Sequence, residues 1–187
     1  MSAVKSNFLK RFLIGVLLIA TIGSSIFVYN NYLAKKEGIY TYNASKDREF
    51  ILKIFKENWD WLVSQYSYDF SPEYTFDNLA SDRKPENKGN LIVKVYYSDS
   101  KRAGFVAYYE KPFYEGFVLF LAVDKNFRSR GFARKLLQHA IDDLKSRGST
   151  VIRLITRVDN KPARKVYEGM GFKQIWTDGE FIRYEKN

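Results

Sequence analysis

The sequence predicts an α/β (α+β) domain in which helices flank a mixed central sheet, preceded by one apolar N-terminal helix. Three observations predict it. From Phe12 to Ala34 there are 23 residues without a charge. The rest of the chain alternates helical and strand periodicity in the order β-α-(irregular)-β-β-β-α-β-α-β-β. That remainder runs to about 150 residues, enough for one core of this kind.

The N-terminal run, FLIGVLLIATIGSSIFVY and its continuation, is long enough for a helix that crosses a bilayer, which takes about 20 apolar residues. Lys10 and Arg11 stand at one end, Lys35 and Lys36 at the other, and Tyr29 and Tyr32 occupy interfacial positions. The expected division is a basic tail at 1–11, a transmembrane anchor at 12–34, a linker at 35–38 and a folded domain at 39–187. A cleaved signal peptide ending near Gly23-Ser24-Ser25 is a rival reading, and a buried core helix is another. The resumption of apolar character at Ile26-Phe27-Val28 favours the anchor. Basic residues are balanced across the run, so charge does not orient it.

After a short strand at Ile39–Asn43, Ser45 or Asp47 can cap a helix. Its apolar stripe is Phe50, Ile51, Ile54, Phe55, Trp59, Leu62 and Val63. Residues 64–90 read as irregular, with Tyr66, Tyr68, Phe70, Tyr74 and Phe76 ahead of Pro85 and Gly89. Three strands follow at 91–98, 103–110 and 115–123, joined by hairpin-like turns. A charged loop, Asp124–Arg130, leads into a helix over Gly131–Lys145 that Gly148 ends. A strand at Thr150–Arg157, a short helix at Lys161–Glu168 and strands at Phe172–Trp176 and Phe181–Glu185 complete the domain.

Composition removes several chemistries. The chain has no cysteine, which excludes disulfides, thiolate nucleophiles and Cys-ligated zinc. His139 is the single histidine, so multi-histidine metal sites and most histidine-based triads are also excluded; no metal is expected. The net charge is +10, but half of it belongs to residues 1–36. The body is only mildly basic, which argues against a nucleic-acid partner.

The chemistry concentrates in LAVDKNFRSRGFARKLLQHAI. A strand enters a loop carrying Arg128, Arg130 and Gly131, and a helix begins at once. Helix starts leave N–H groups unpaired and carry partial positive charge, so they attract anions. Gly131 and small Ala133 let a phosphate approach the backbone. The spacing is neither a P-loop nor a dinucleotide fingerprint. A basic turn capping an ordinary amphipathic helix is the plain alternative. The second cluster, NKPARKVYEGMGF, puts Asn160 at a helix entrance and Tyr167 two turns on, nearly on the same face.

Together the clusters resemble the GNAT superfamily of acyl-CoA-dependent N-acetyltransferases. The family's Arg/Gln-x-x-Gly-x-Gly/Ala loop is matched by Arg128, Ser129, Arg130, Gly131, Phe132 and Ala133. Its Asn-x-x-Ala-x-x-x-Tyr-x-x-x-Gly-Phe pattern is matched by Asn160, Ala163, Tyr167, Gly171 and Phe172. The resemblance covers about residues 39–187 and implies a splayed sheet. It implies that acetyl-CoA serves as co-substrate, its pyrophosphate on the N–H groups of Arg128 to Ala133 with Arg134 nearby. Leu121 and Val123 would offer backbone groups to pantetheine and the acetyl carbonyl, Asn160 would contact pantetheine, and Tyr167 would protonate the departing thiolate.

A primary amine would then attack the thioester directly in a ternary complex. At the position where some members of the family carry a glutamate base, this chain has Phe117. Glu115, on the same strand face, is the candidate base acting through water, with Glu110 and Asp124 behind it. Tyr66, Tyr68, Phe70, Tyr74, Tyr108, Tyr109 and Tyr114 could wall an acceptor site for a small molecule, peptide or protein amine, or simply be core and rim. The competing reading is a non-catalytic acyl-CoA-binding or interaction domain of the same fold. Because the donor is intracellular, the expected placement is single-pass in a membrane, with the domain facing the cytoplasm.

Overall fold

The computed structural model describes residues 21, 22, 24, 25, 36–63, 69–82 and 84–187. The chain divides into two units, Met1–Lys36 and Glu37–Asn187. In the first, Thr21, Ile22, Ser24 and Ser25 are helical, and both serine hydroxyls donate to the Thr21 carbonyl. The rest of the expected span at 12–34 lies outside the described residues. Among the described residues no helix is long and apolar enough to cross a membrane. The expected single-pass membrane placement is corrected accordingly.

The second unit is built on a seven-stranded sheet in the order β1-β2-β3-β4-β5-β7-β6. Its strands are β1 (Gly38–Thr41), β2 (Ile92–Ser98), β3 (Lys101–Lys111), β4 (Glu115–Val123), β5 (Val151–Arg157), β6 (Lys173–Asp178) and β7 (Phe181–Lys186). All neighbours are antiparallel except β4 and β5. β1 begins inside the stretch read as linker. The helices are α1 (Ala44–Glu57), α2 (Trp59–Leu62), α3 (Pro72–Asn78), α4 (Phe132–Ser146) and α5 (Lys161–Glu168).

Side-chain alternation along the strands feeds two cores. On one face Leu136, Leu137, Ala140, Ile141 and Leu144 of α4 pack on Val106, Tyr108, Val118, Ile152, Leu154, Ile182 and Tyr184, joined by Tyr167 from α5. On the other, Ile51, Ile54 and Phe55 of α1 and Phe76 of α3 pack on β2, β3 and Phe120 of β4. Phe55, Phe76, Phe105 and Phe120 form an aromatic cluster there, with Phe55 and Phe120 edge-to-face at 4.9 Å. Gly116 permits the close docking of α4: a Cβ there would stand 2.8 Å from both Leu144 and Ile152.

The first helix departs from its expected course in two places. Asn43 holds the N-cap position, and the Asp47 carboxylate reaches back to accept the Asn43 N–H at 2.9 Å. Asp47 is fully buried and also accepts from the Tyr97 hydroxyl and from Arg102 Nε, tying the helix to β2 and β3. The stripe that continues to Val63 is broken at Asn58, whose side chain donates to the Ile54 carbonyl. The stretch read as irregular contains α3. Ser71 caps it by accepting the Tyr74 N–H at 3.1 Å, and Pro72 fixes its first turn.

Candidate active site

β4 is the axis of the site. It pairs with β5 only over Glu115–Val118 against Val151–Leu154, although both strands continue beyond. Past that point the two strands part and leave a wedge. A bulge marks the place: Ala107 faces Phe120 and Tyr108 faces Val118, so Leu119 has no partner in β3. Beyond the bulge the Asp124 N–H donates to the Ala103 carbonyl at 2.9 Å. Antiparallel ladders alternate, so Ala122 and Phe120 also turn their backbone groups to β3, and Leu121 and Val123 turn theirs to the wedge. These are the two residues expected to offer backbone groups.

The loop after β4 is a rigid turn. The Asp124 carboxylate accepts the Asn126 N–H at 2.9 Å and lies 3.4 Å from Lys53 Nζ. Burial disfavours its charge, but the Asn126 N–H and the Lys53 ammonium outweigh that and hold its pKa below the ordinary value. Asp124 is therefore a loop-forming anion rather than a base. Arg128 donates from Nε to the Val123 carbonyl at 3.1 Å and from Nη2 to Asn58 Oδ1 at 2.7 Å. Its guanidinium is a clasp between the loop and the end of α1, with Nε and Nη2 engaged there. Ser129 and Gly131 both adopt left-handed backbone, with φ of 62° and 81°.

α4 starts at this turn without a cap. Gly131 contributes no side chain, and the first intrahelical bond runs from the Lys135 N–H to the Gly131 carbonyl. The N–H groups of Phe132, Ala133 and Arg134 are left without intrahelical acceptors. A Cβ on Gly131 would meet no atom within 4 Å, so the turn is open on that side. Arg130 rests its guanidinium 5.3 Å from the Phe127 ring, and Arg134 donates to the Gly169 carbonyl at 3.0 Å. An open groove of about 620 Å³ begins at Arg134 and runs along α4 past Gln138 to Met170. Bare donors, a left-handed turn and flanking cations fit a diphosphate; the residues present suit the expected co-substrate.

α5 brings the second cluster to the same core as Leu121 and Val123. Asn160 caps it, accepting the Ala163 N–H on Oδ1 at 3.3 Å, which leaves Nδ2 for a ligand. Tyr167 is 7% exposed, packed between Phe172 and Tyr184. Its hydroxyl makes no hydrogen bond among the described residues. Burial, then the neighbouring Tyr184, push its pKa well above the ordinary phenol value, so it stays protonated near neutrality.

Glu115 is not brought to this place. It sits where β4 and β5 are still paired, bound to Arg153 and 3.5 Å from Lys111. Six residues separate it from Leu121, roughly 20 Å of strand. The expected base is corrected on that ground: its charge is neutralised at the closed end of the wedge. Glu110 also lies at that end, facing Gly116 and 3.8 Å from Arg147. Of the expected acceptor wall, Tyr66 and Tyr68 lie outside the described residues. Tyr108 is core, its hydroxyl donating to Asp143 at 2.8 Å, and Phe70 belongs to the aromatic cluster behind α1. Tyr109 packs in the same core, Tyr74 stacks under Lys88, and Tyr114 lies exposed at the β3–β4 turn. Sequence reasoning missed Asn58 as the anchor of Arg128, because the contact joins residues far apart in the chain.

A model of the acetyltransferase (GNAT) family matches residues 55–172. The chain is 31% identical over 134 residues to N-alpha-acetyltransferase 30 of Schizosaccharomyces pombe, covering 71% of this chain and 80% of the relative. It is 32% identical over 115 residues to the ribosomal protein bS18-alanine N-acetyltransferase of Salmonella typhimurium, covering 61% and 72%. Among solved structures it is similar to the PaiA N-acetyltransferase of Thermoplasma acidophilum in complex with coenzyme A. That match has a TM-score of 0.61 and 21% identity, over 81% of this chain and 99% of the other. At that identity the likeness speaks for the fold.

Proposed function

The chain belongs to the acetyltransferase (GNAT) family, and from that premise we propose that its wedge acetylates the N-terminal α-amine of a protein or peptide. It is an acyl-CoA-dependent N-acetyltransferase that moves an acetyl group from acetyl-CoA to an amine. The α-amine as acceptor is supported by the two relatives, whose names specify N-alpha and alanine N-acetylation. The observation that carries the reading is the parting of β4 from β5 beside an uncapped helix start.

Bound acetyl-CoA supplies an activated acetyl thioester. The N–H groups of Phe132, Ala133 and Arg134 hold its diphosphate, with the left-handed turn at Ser129–Gly131 shaping the cradle. Leu121 aligns the pantetheine arm by completing strand-like hydrogen bonds, and Asn160 Nδ2 donates to it from the opposite wall. The amine attacks the carbonyl carbon as a free base. The Val123 N–H takes the charge that builds on the carbonyl oxygen, a kind of contact that contributes about 2.7–4 kcal/mol. As the carbon–sulfur bond breaks, Tyr167 gives its proton to the sulfur; the new ammonium loses its proton to water, and the phenolate takes one back from water. With Glu115 ion-paired elsewhere, neutral amine comes from solvent equilibrium; an α-amine, with a pKa of about 7.7–8.0, supplies enough near neutrality.

The test is thiol release from acetyl-CoA with two sets of synthetic peptides, one with free N-termini and one with blocked N-termini and a free lysine. Release confined to the first set is expected. Release confined to the second would reject the α-amine assignment.

A further inference from the structure

Among the described residues, no helix packs on one face of the sheet beyond the wedge. On β5, β7 and β6 the side chains of Ile152, Leu154, Ile182 and Tyr184 point into the α4 core. Their neighbours Arg153, Ile155, Arg157, Phe181, Arg183 and Trp176 point the other way. The core beneath α1 and α3 draws nothing from these strands among the described residues. Ile155 and Trp176 are accordingly 39% and 45% exposed.

The three arginines of this face differ. Arg153 pairs with Glu115 and Glu185, and Arg157 with Glu180 and Asp159. Arg183 makes no ion pair and no hydrogen bond among the described residues, and its Nε is buried without a partner. Its guanidinium lies over the Trp176 ring at 5.2 Å, held by stacking alone. Of the three arginines it is the one whose charge meets no carboxylate among the described residues.

Its position connects it to the wedge. Arg183 stands directly across from Ile155, the first β5 residue past the last one paired with β4. Trp176, Arg183 and Ile155 thus form a row across three strands, level with the opening. Strands lie about 4.8 Å apart, so Arg183 stands one spacing beyond β5, the near wall of the wedge. An extended peptide advances about 3.3–3.6 Å per residue. An α-amine in the wedge therefore brings the second or third side chain to this row.

We propose that Arg183, laid on Trp176, selects acceptor peptides with an acidic side chain at the second or third residue. This rests on the α-amine reading above. A guanidinium fork takes a carboxylate bidentately, and Trp176 fixes the plane of the fork. Ile155 gives the intervening residue an apolar rest.

The experiment is calorimetric titration of the full chain, with and without coenzyme A. The ligands are three hexapeptides that differ only in Glu, Gln or Lys at positions two and three. The native chain binds the Glu peptide about 10–100-fold more tightly than the Gln peptide. In Arg183→Gln the ratio falls to near one. In Arg183→Glu the preference passes to the Lys peptide, a gain that misfolding cannot produce. Equal affinity of the native chain for Glu and Gln peptides overturns the proposal, as does a Glu preference that survives Arg183→Gln. Failure of the α-amine reading has another signature: no thiol release with these peptides. In that case the affinity ratio still judges Arg183.

Discussion

α4 and α5 pack on the same side of the sheet and begin in opposite ways. α5 opens with Asn160, whose side chain accepts the Ala163 N–H, and Pro162 occupies its first turn. α4 opens with Gly131 in left-handed backbone and no side-chain acceptor. α5 satisfies its own first turn; α4 leaves its first N–H groups without a side-chain acceptor. Gly in place of a Ser, Thr, Asp or Asn cap costs only a few tenths of a kcal/mol, so α4 gives up about that much stability to keep its donors open. The lesson is that a helix start without a cap, beside a parted pair of strands, reads as a binding device, whereas a capped start reads as architecture with a side chain to spare.

The largest effect expected from this contrast is at Gly131. Gly131→Val puts a β-branched residue at φ 81° and places its Cβ on the open side of the turn. Two charge-assisted hydrogen bonds at about 1.5–3 kcal/mol each would be lost. Acetyl-CoA affinity measured by calorimetry should fall about 10²–10⁴-fold. If affinity stays within threefold, the diphosphate sits elsewhere and the contrast fails.

The next effect is on rate. Tyr167→Phe removes the proton donor but keeps the ring against Phe172 and Tyr184. Single-turnover kcat should drop about 10²-fold with acetyl-CoA affinity little changed. The pH profile tells this from a packing defect. Activity rises with pH as the α-amine loses its proton, with a limb near pH 8. The phenol pKa is raised, so its deprotonation adds no falling limb below the ordinary phenol value of about 10. The variant should lower the plateau without moving the rising limb. A shift of that limb would assign Tyr167 to the amine instead.

Legibility in the sequence followed the range of the interactions. The order of strands and helices, the left-handed turn at Gly131 and the helix entrance at Asn160 were readable because each is local: a glycine where φ is positive, a capping residue beside a proline. α3 was legible in principle from Ser71-Pro72-Glu73, a cap followed by a first-turn proline, but the surrounding aromatics obscured its short period. The break at Asn58 was hidden because the apolar stripe runs unbroken through it. The bulge at Leu119 belongs to the register between two strands, which no single strand reveals. Glu115 was misplaced for the same reason. Its strand and face were readable, but its pairing with Arg153 comes from β5 lying parallel beside it. The face carrying Arg183 could not be foreseen, because which half of a sheet a helix covers is a property of the whole fold.

The smallest effect sharpens the comparison at α5, where one side chain is given two tasks. Asn160 Oδ1 is occupied by the Ala163 N–H at 3.3 Å, and Nδ2 remains for pantetheine. Asn160→Asp keeps an acceptor for the cap, and a negative charge at a helix N-terminus is favourable, so stability should hold. It loses the Nδ2 donor, and acetyl-CoA affinity should fall. Asn160→Ala loses both, costing about 1 kcal/mol in denaturant unfolding as well as the affinity. The two variants therefore separate cap from contact within one residue. Equal affinity in the Asp variant and the native chain would make Asn160 architecture alone, and α5 would then be wholly the satisfied counterpart of α4. A shared loss of affinity, with stability lost only in the Ala variant, would show that even the capped helix lends the ligand what its own backbone does not need.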